Sequence, residues 1–273
     1  MKKLTASILV LVMLLGMTAC GKESEPTEAT GAEQSAATVE ETVLLDAMNV
    51  KITAKKLEGT VLSLFIENNS DEDLAFRCRD ASVNGYMVDA VLGASVASQK
   101  TAEDTVEFSA SDLEKCGITE IADLEFRFEL LLEEEREEYY TGDLIRIETS
   151  AAETYQYIYD DSGEVLFEKK GIKAASRGLQ TGEQDPALRI YLENNYETTV
   201  TVQAKDVSVN GIPLDPLFSI DLTPGRHAVT DLQFPRSELE ENTKIQTVEF
   251  VLQALDPDSW DIIAEGELVR LEF

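Results

Sequence analysis

Apolar and polar residues alternate in short runs along most of the chain, with a period of two. In VTVQAKDVSV (200–209), Val200, Val202 and Ala204 fall on one face, and Thr201, Gln203 and Lys205 on the other. That is the pattern of a half-buried strand. LRIYLEN (188–194) and VEFVLQAL (248–255) are similar runs rich in β-branched and aromatic side chains. Turn-forming residues interrupt the runs about every 8–12 positions, the spacing of an antiparallel sandwich. The helical signal is Ser-x-x-Glu, at Ser111–Glu114 and again at Ser237–Glu240. This spacing predicts a capped turn, and Gly117 is placed to end the first one.

The pattern is written twice. LSLFIENNSDEDLAFRCRDASVNGYMVDAVLGASV (62–96) aligns without gaps on LRIYLENNYETTVTVQAKDVSVNGIPLDPLFSIDL (188–222), 126 residues later. VEFSASDLE (106–114) and LQFPRSELE (232–240) keep that offset. After a two-residue slip, LEFRFELL (124–131) matches VEFVLQAL (248–255), and GDLIRIE (142–148) matches GELVRLE (266–272). Upstream, LLDAMNVKITAKKLEG (44–59) matches LFEKKGIKAASRGLQT (166–181). The unit is longer than a solenoid repeat, so each copy is expected to be a domain in its own right. The expectation is an all-β chain of two tandem antiparallel immunoglobulin-like sandwiches, each of seven or eight strands with one short helical turn. They occupy 43–150 and 151–273. Between them, TYQYIYDDSG (154–163) reads as a strand followed by a turn.

The repeated motifs carry turn chemistry. Asn84-Gly85 and Asn210-Gly211 sit between strand runs, and a type I′ hairpin needs φ > 0 at both central positions. Pro213 marks the second return strand as an edge, because it cannot donate to a ladder. ENN at 67–69 and 193–195 closes a strand in each copy, and Asn tolerates the left-handed conformation that loops use. GASVA (93–97) superficially resembles a nucleophile elbow, but copy two has Asp221 at the place of Ser95, and the sole histidine, His227, lies in the other copy. With one His, no zinc cluster or metalloprotease pair can be assembled. No catalytic residue, cofactor or metal is expected.

Function is sought where the copies differ. Cys78 and Cys116 face Ala204 and Asn242 in copy two; they are a candidate disulfide, and one the fold itself does not require. The loops before the last strand also differ, EEEREEYY against DPDSWDII. Tyr139, Tyr140 and Trp260, with Asp256, Asp258 and Asp261, form the candidate interaction loops. The three aspartates can offer oxygen to Ca²⁺, but no EF-hand pattern surrounds them.

The first residues are a targeting segment. Lys2 and Lys3 precede a run of roughly 14 apolar residues, too short to span a bilayer, which ends in MTAC (17–20). A small residue before a Cys resembles the lipobox of bacterial lipoproteins, with Met17 where Leu is usual. That resemblance implies cleavage after residue 19 and a diacylglyceryl group on Cys20, with a bilayer as partner. Residues 21–42 are rich in Glu, Thr, Ala and Ser without periodicity. They read as a disordered tether with a reach of roughly 25 Å. The net charge of −30 repels phosphate backbones, so no nucleic acid partner is expected.

The segments IENNSDEDL…DASVNG and LENNYETTV…DVSVNG, with SDLE and SELE downstream, resemble bacterial surface lipoproteins built of tandem immunoglobulin-like (telokin-like) β-sandwich repeats. The resemblance implies a lipid-anchored protein on the extracytoplasmic face of the cell membrane, binding or adhering to a protein or wall partner. The alternative is a structural spacer or assembly component of an envelope complex.

Overall fold

The computed structural model describes residues 39–182, 185–239 and 243–273. Cys20 and all of the tether up to residue 38 lie outside them. Copy one runs through β1 (Thr42–Ala47), β2 (Val50–Glu58), β3 (Val61–Asn68), β4 (Leu74–Val83), β5 (Tyr86–Met87), β6 (Ala90–Val91), β7 (Ser95–Val96) and β8 (Lys100–Phe108). The helix α1 (Ala110–Lys115) follows, then β9 (Asp123–Leu132), β10 (Glu138–Thr141) and β11 (Ile145–Glu148). Copy two repeats the order with β12 (Glu164–Lys169), β13 (Ile172–Gln180), β14 (Ala187–Asn194), β15 (Val200–Val209), β16 (Ile212–Pro213), β17 (Ser219–Leu222) and β18 (Arg226–Gln233). A 3₁₀ turn (Arg236–Glu238) precedes β19 (Thr247–Leu255), β20 (Ile262–Glu265) and β21 (Val269–Glu272).

Each copy is an antiparallel immunoglobulin-like sandwich. In copy one the sheet β1-β2-β3-β8-β6 faces β10-β9-β4-β5, with β11 on β9 and β7 on β4. In copy two β12-β13-β14-β18 faces β16-β15-β19-β20, with β17 on β15 and β21 on β19. Alternation puts Leu62, Leu64 and Ile66 of β3 and Leu124, Phe126 and Phe128 of β9 into one core. Their counterparts Leu188, Ile190, Leu192, Val248, Phe250 and Leu252 fill the second. Phe126 meets Phe128 edge-on, with centroids 5.3 Å apart, and truncating such a buried ring costs ~3–5 kcal/mol.

The phrase shared by the copies is a set of backbone braces. Asp80 and Asp206 have φ of 51° and 52° at matching bulges in β4 and β15, where the register against β9 and β19 slips. Asn84 and Gly85 (φ 49° and 82°) and Asn210 and Gly211 (52° and 78°) make the expected hairpins. The asparagine side chains also hold the strand that follows the helical turn. Asn84 Nδ2 donates to Glu120 O, while Oδ1 accepts from the Ala122 and Asp123 amides. Asn210 does the same with Lys244, Gln246 and Thr247.

The ENN motif works differently from its sequence reading. Asn68 and Asn194 have no positive φ and are fully buried. Asn68 donates to Glu72 O and Val96 O, and Asn194 to Thr198 O and Leu222 O. They clip the strand end to the next loop.

The helical turns also depart from expectation. Ser109, not Ser111, caps α1, accepting from the Asp112 amide, because β8 ends at Phe108 and the helix already starts at Ala110. Gly117, at φ 71°, does close the helix, with Ile118 N–H on Leu113 O and Gly117 N–H on Glu114 O. In copy two Pro235 occupies the cap without a side-chain bond and Ser237 lies inside the 3₁₀ turn; Glu240 falls outside the described residues. Residues 154–160 form no strand. They are a strap fixed by tyrosine side chains rather than by a ladder.

Candidate functional site

The most concentrated group of ionisable and aromatic side chains lies where the copies meet. β5 of copy one runs parallel to β18 of copy two at a single bridge, Tyr86 to His227, so the two sandwiches share a ten-stranded sheet. His227 N–H donates to Gly85 O at 3.0 Å. Around the bridge, His227 stacks on Tyr159 at 3.7 Å between centroids, and its Nδ1 lies 2.7 Å from Tyr191 Oη. Tyr86 packs edge-on against Tyr159. An ideal Cβ on Gly85 would stand 2.4 Å from the Tyr159 hydroxyl; here glycine is required by the strap as well as by φ. Burial holds His227 below the usual imidazole range, so it is neutral at pH 7, and pushes Tyr86 up to about 12.

A charged layer flanks these rings. Asp123 and Glu125 project from β9 with side chains only 5% and 8% exposed. Arg146 of β11 reaches Asp123 at 3.1 Å, Glu148 at 3.3 Å and Glu125 at 3.8 Å. Arg226, at the start of β18, pairs with Glu125 from the other copy. Tyr157 of the strap donates to Asp123; burial and this bond push its phenol up to about 12.

Copy two shows the layer without a neighbour. There Arg270 pairs with Glu249 at 2.9 Å and Ser208 Oγ donates to the same carboxylate. In copy one, Arg226 takes Glu125, and the equivalent Ser82 Oγ is buried without a hydrogen-bond partner among the described residues. Leaving such a hydroxyl unmatched costs ~1–3 kcal/mol, which offsets part of what the Arg226 contact contributes.

Two recesses border the joint. A cleft of about 400 Å³ opens between β4, β5, α1, β17 and β18. Several of its charges are matched within copy one: Arg79 with Glu129 at 3.1 Å, Asp80 with Arg127 at 2.7 Å, and Lys115 with Asp112 at 3.1 Å. A smaller one of about 230 Å³ is walled by Arg146, Arg226, Asp123 and Tyr157. Across these recesses the copies are tied by Lys115 on Asp231 at 3.8 Å and by Arg226 on Glu125.

The sequence-derived candidates are spread over the molecule. Cys78 and Cys116 are free thiols, not the candidate bridge. Cys78 packs on the core from β4 and Cys116 caps α1, and burial pushes both up to about 12. Tyr139 and Tyr140 lie on β10, half-buried against core one. Trp260 is 59% exposed and has φ 62°. The carboxylate of Asp256 accepts from the Asp258 and Ser259 amides and so holds the loop; this keeps it below the usual carboxylate range. Among the described residues no three His, Cys, Asp or Glu side chains converge on a metal-sized site.

Sequence reasoning missed Asp123, Glu125, Arg226 and His227; the two acids read as solvent-facing positions of an alternating strand. Tyr155-x-Tyr157-x-Tyr159 in the connecting segment was the available signal.

No protein-family model and no curated protein sequence matches the chain. Among solved structures, the crystal structure of the YadV chaperone is similar over 82% of this chain and 100% of its own, at 12% identity and a TM-score of 0.26. The CsuC–CsuE chaperone–tip adhesion subunit pre-assembly complex from archaic chaperone-usher Csu pili of Acinetobacter baumannii is similar over 77% of this chain and 90% of its own chain, at 9% identity and a TM-score of 0.21.

Proposed function

We propose that this chain is a binding module of two rigidly joined sandwiches, held at the extracytoplasmic face of the cell membrane by acylated Cys20, and that it engages a protein or wall partner through its copy-two loops. The observation that supports this reading most directly is Trp260. Its counterpart in the copy-one loop is Arg136, and both adopt a left-handed backbone, at φ 62° and 60°. A bulky side chain there costs roughly 1–2 kcal/mol relative to a right-handed position, and Trp260 recovers little of it by packing. An exposed, strained aromatic on a fixed loop is well suited to contact. Tyr139 and Tyr140 are better explained by packing against core one.

The test is a photo-cross-linking residue placed beside Trp260 in living cells, with mass spectrometry of the trapped species. Trp260→Ala should lose the specific product while keeping its thermal midpoint. Recovery of the same products from Trp260→Ala sinks the loop assignment. Cys20→Ala should abolish labelling by an alkynyl fatty acid and release the chain from the membrane fraction; retention without label would exclude the anchor. The shared sheet favours the spacer reading as well, since a stiff joint transmits position. Stoichiometric co-purification with an envelope complex, unaffected by Trp260→Ala, would select it.

A further inference from the structure

The hairpin, the short return strand and the acid beside them have equivalents on a face that is left open; the strap contacts of Tyr157 and Tyr159 have none among the described residues. Copy one presents the Asn84-Gly85 hairpin, β5 and Glu125 to copy two. The equivalent face of copy two is the Asn210-Gly211 hairpin, β16 and Glu249. Tyr86 is 5% exposed in the joint, but Ile212, at its position, is 38% exposed. Glu249 has a side chain 27% exposed, against 8% for Glu125. No atom stands within 4 Å of a Cβ placed on Gly211.

The receiving face also recurs. Copy two receives β5 on the start of β18, beside Tyr191. Copy one has the start of β8 there, beside Phe65. On its outer side β8 pairs with β6 only at Glu107 and Phe108, so its beginning is an open edge among the described residues. The two strand starts have the same local turn: Arg226 N–H bonds Thr223 O, and Lys100 N–H bonds Ala97 O.

We propose that a second copy of this chain docks here, with β16 of one chain beside Lys100–Thr101 of the next in the parallel register of β5 on β18. The ion pair translates in chemical kind, and the other pairs keep an apolar contact without the ring and sulfur interactions of the joint. Arg226 on Glu125 becomes Lys100 on Glu249. Tyr86 against His227 and Tyr191 becomes Ile212 against Thr101 and Phe65. Met87 with Thr223 becomes Pro213 with Ala97. Pro213 removes a donor, but the observed bond, His227 N–H to Gly85 O, uses a carbonyl acceptor that Gly211 retains. The contact is heterologous, so repetition gives an open chain rather than a closed ring. The net charge of −30 opposes it, which places assembly at high protein concentration.

Sedimentation equilibrium of the full chain in density-matched detergent, up to roughly 1 mM, tests the proposal. The weight-average mass should rise with concentration and pass that of a dimer. Ile212→Glu should weaken association at least about tenfold, as should Glu249→Lys, and adding Lys100→Glu to Glu249→Lys should restore it. Leu217→Asp is the control. Leu217 is fully exposed, and its counterpart Val91 stays 66% exposed beside the joint, so this change should leave association unaltered. A monomer throughout, association indifferent to Ile212→Glu, or a charge swap that restores nothing would overturn the proposal.

Discussion

Arg226→Met removes the cation that, among the described residues, copy two places on a buried acid of copy one. Glu125 would keep Arg146 at 3.8 Å, a longer and half-exposed contact. Removing one partner of a buried pair costs ~3–5 kcal/mol. The surviving Arg146, and an Arg226 side chain one quarter exposed, reduce the expectation to ~2 kcal/mol through solvent screening. Methionine keeps most of the apolar stem, so the loss reports on charge rather than packing. The assay is urea unfolding followed by circular dichroism on wild type, Arg226→Met, Glu125→Gln and the double variant. The coupling energy should be ~1–2 kcal/mol, and Arg226→Met should broaden or split the transition as the sandwiches unfold separately. Additivity within ~0.5 kcal/mol, with a single unchanged transition, would refute the account of the joint.

Other consequences are checked as simply. Asn84→Ala should destabilise by ~3 kcal/mol and Asn210→Ala by ~1–2 kcal/mol in the same unfolding assay, since both lose three hydrogen bonds but only Asn84 is buried; equal losses would contradict the burial argument. His227 is depressed on folding, so the unfolded chain binds the extra proton first. Its contribution is complete above about pH 6.5 and is lost as pH falls through the lower folded value. Thermal midpoints should therefore drop as pH falls below about 6.5, and His227→Gln should flatten that decline; an unchanged slope in the variant rejects it. Cys78 and Cys116, pushed up to about 12, should react slowly with iodoacetamide at pH 8 in the folded protein and rapidly in urea. Full alkylation of the native protein within minutes would show that the thiols are not buried as described.

Much of the fold was readable because strand alternation and hairpin turns are local. The period-two runs of β3, β9, β15 and β19, and the left-handed Asn-Gly pairs, depend on neighbours within a few residues. The comparison of copies added which positions serve the fold in both. The Ser-x-x-Glu spacing places the cap of α1 two residues late, because Ser109 and Ser111 offer the same hydroxyl and the pattern does not mark where β8 ends. Sequence reasoning read Asn68 and Asn194 as turn formers, because a side chain bonding to carbonyls 28 residues away leaves no mark nearby.

The sequence by itself determined two similar β sandwiches, their hairpins and a strongly acidic exterior, since each follows from side-chain periodicity, turn geometry or charge count. The tertiary structure decided what joins them. Asp123 and Glu125 alternate with the core residues Leu124 and Phe126 and so would face solvent, as Glu249 does in copy two, while Arg226 and His227 open β18. Only the docking of β18 on β5, with the strap laying Tyr157 and Tyr159 over the seam, converts that outward face into a buried layer. Long-range contact, not local propensity, sets the environment of those side chains.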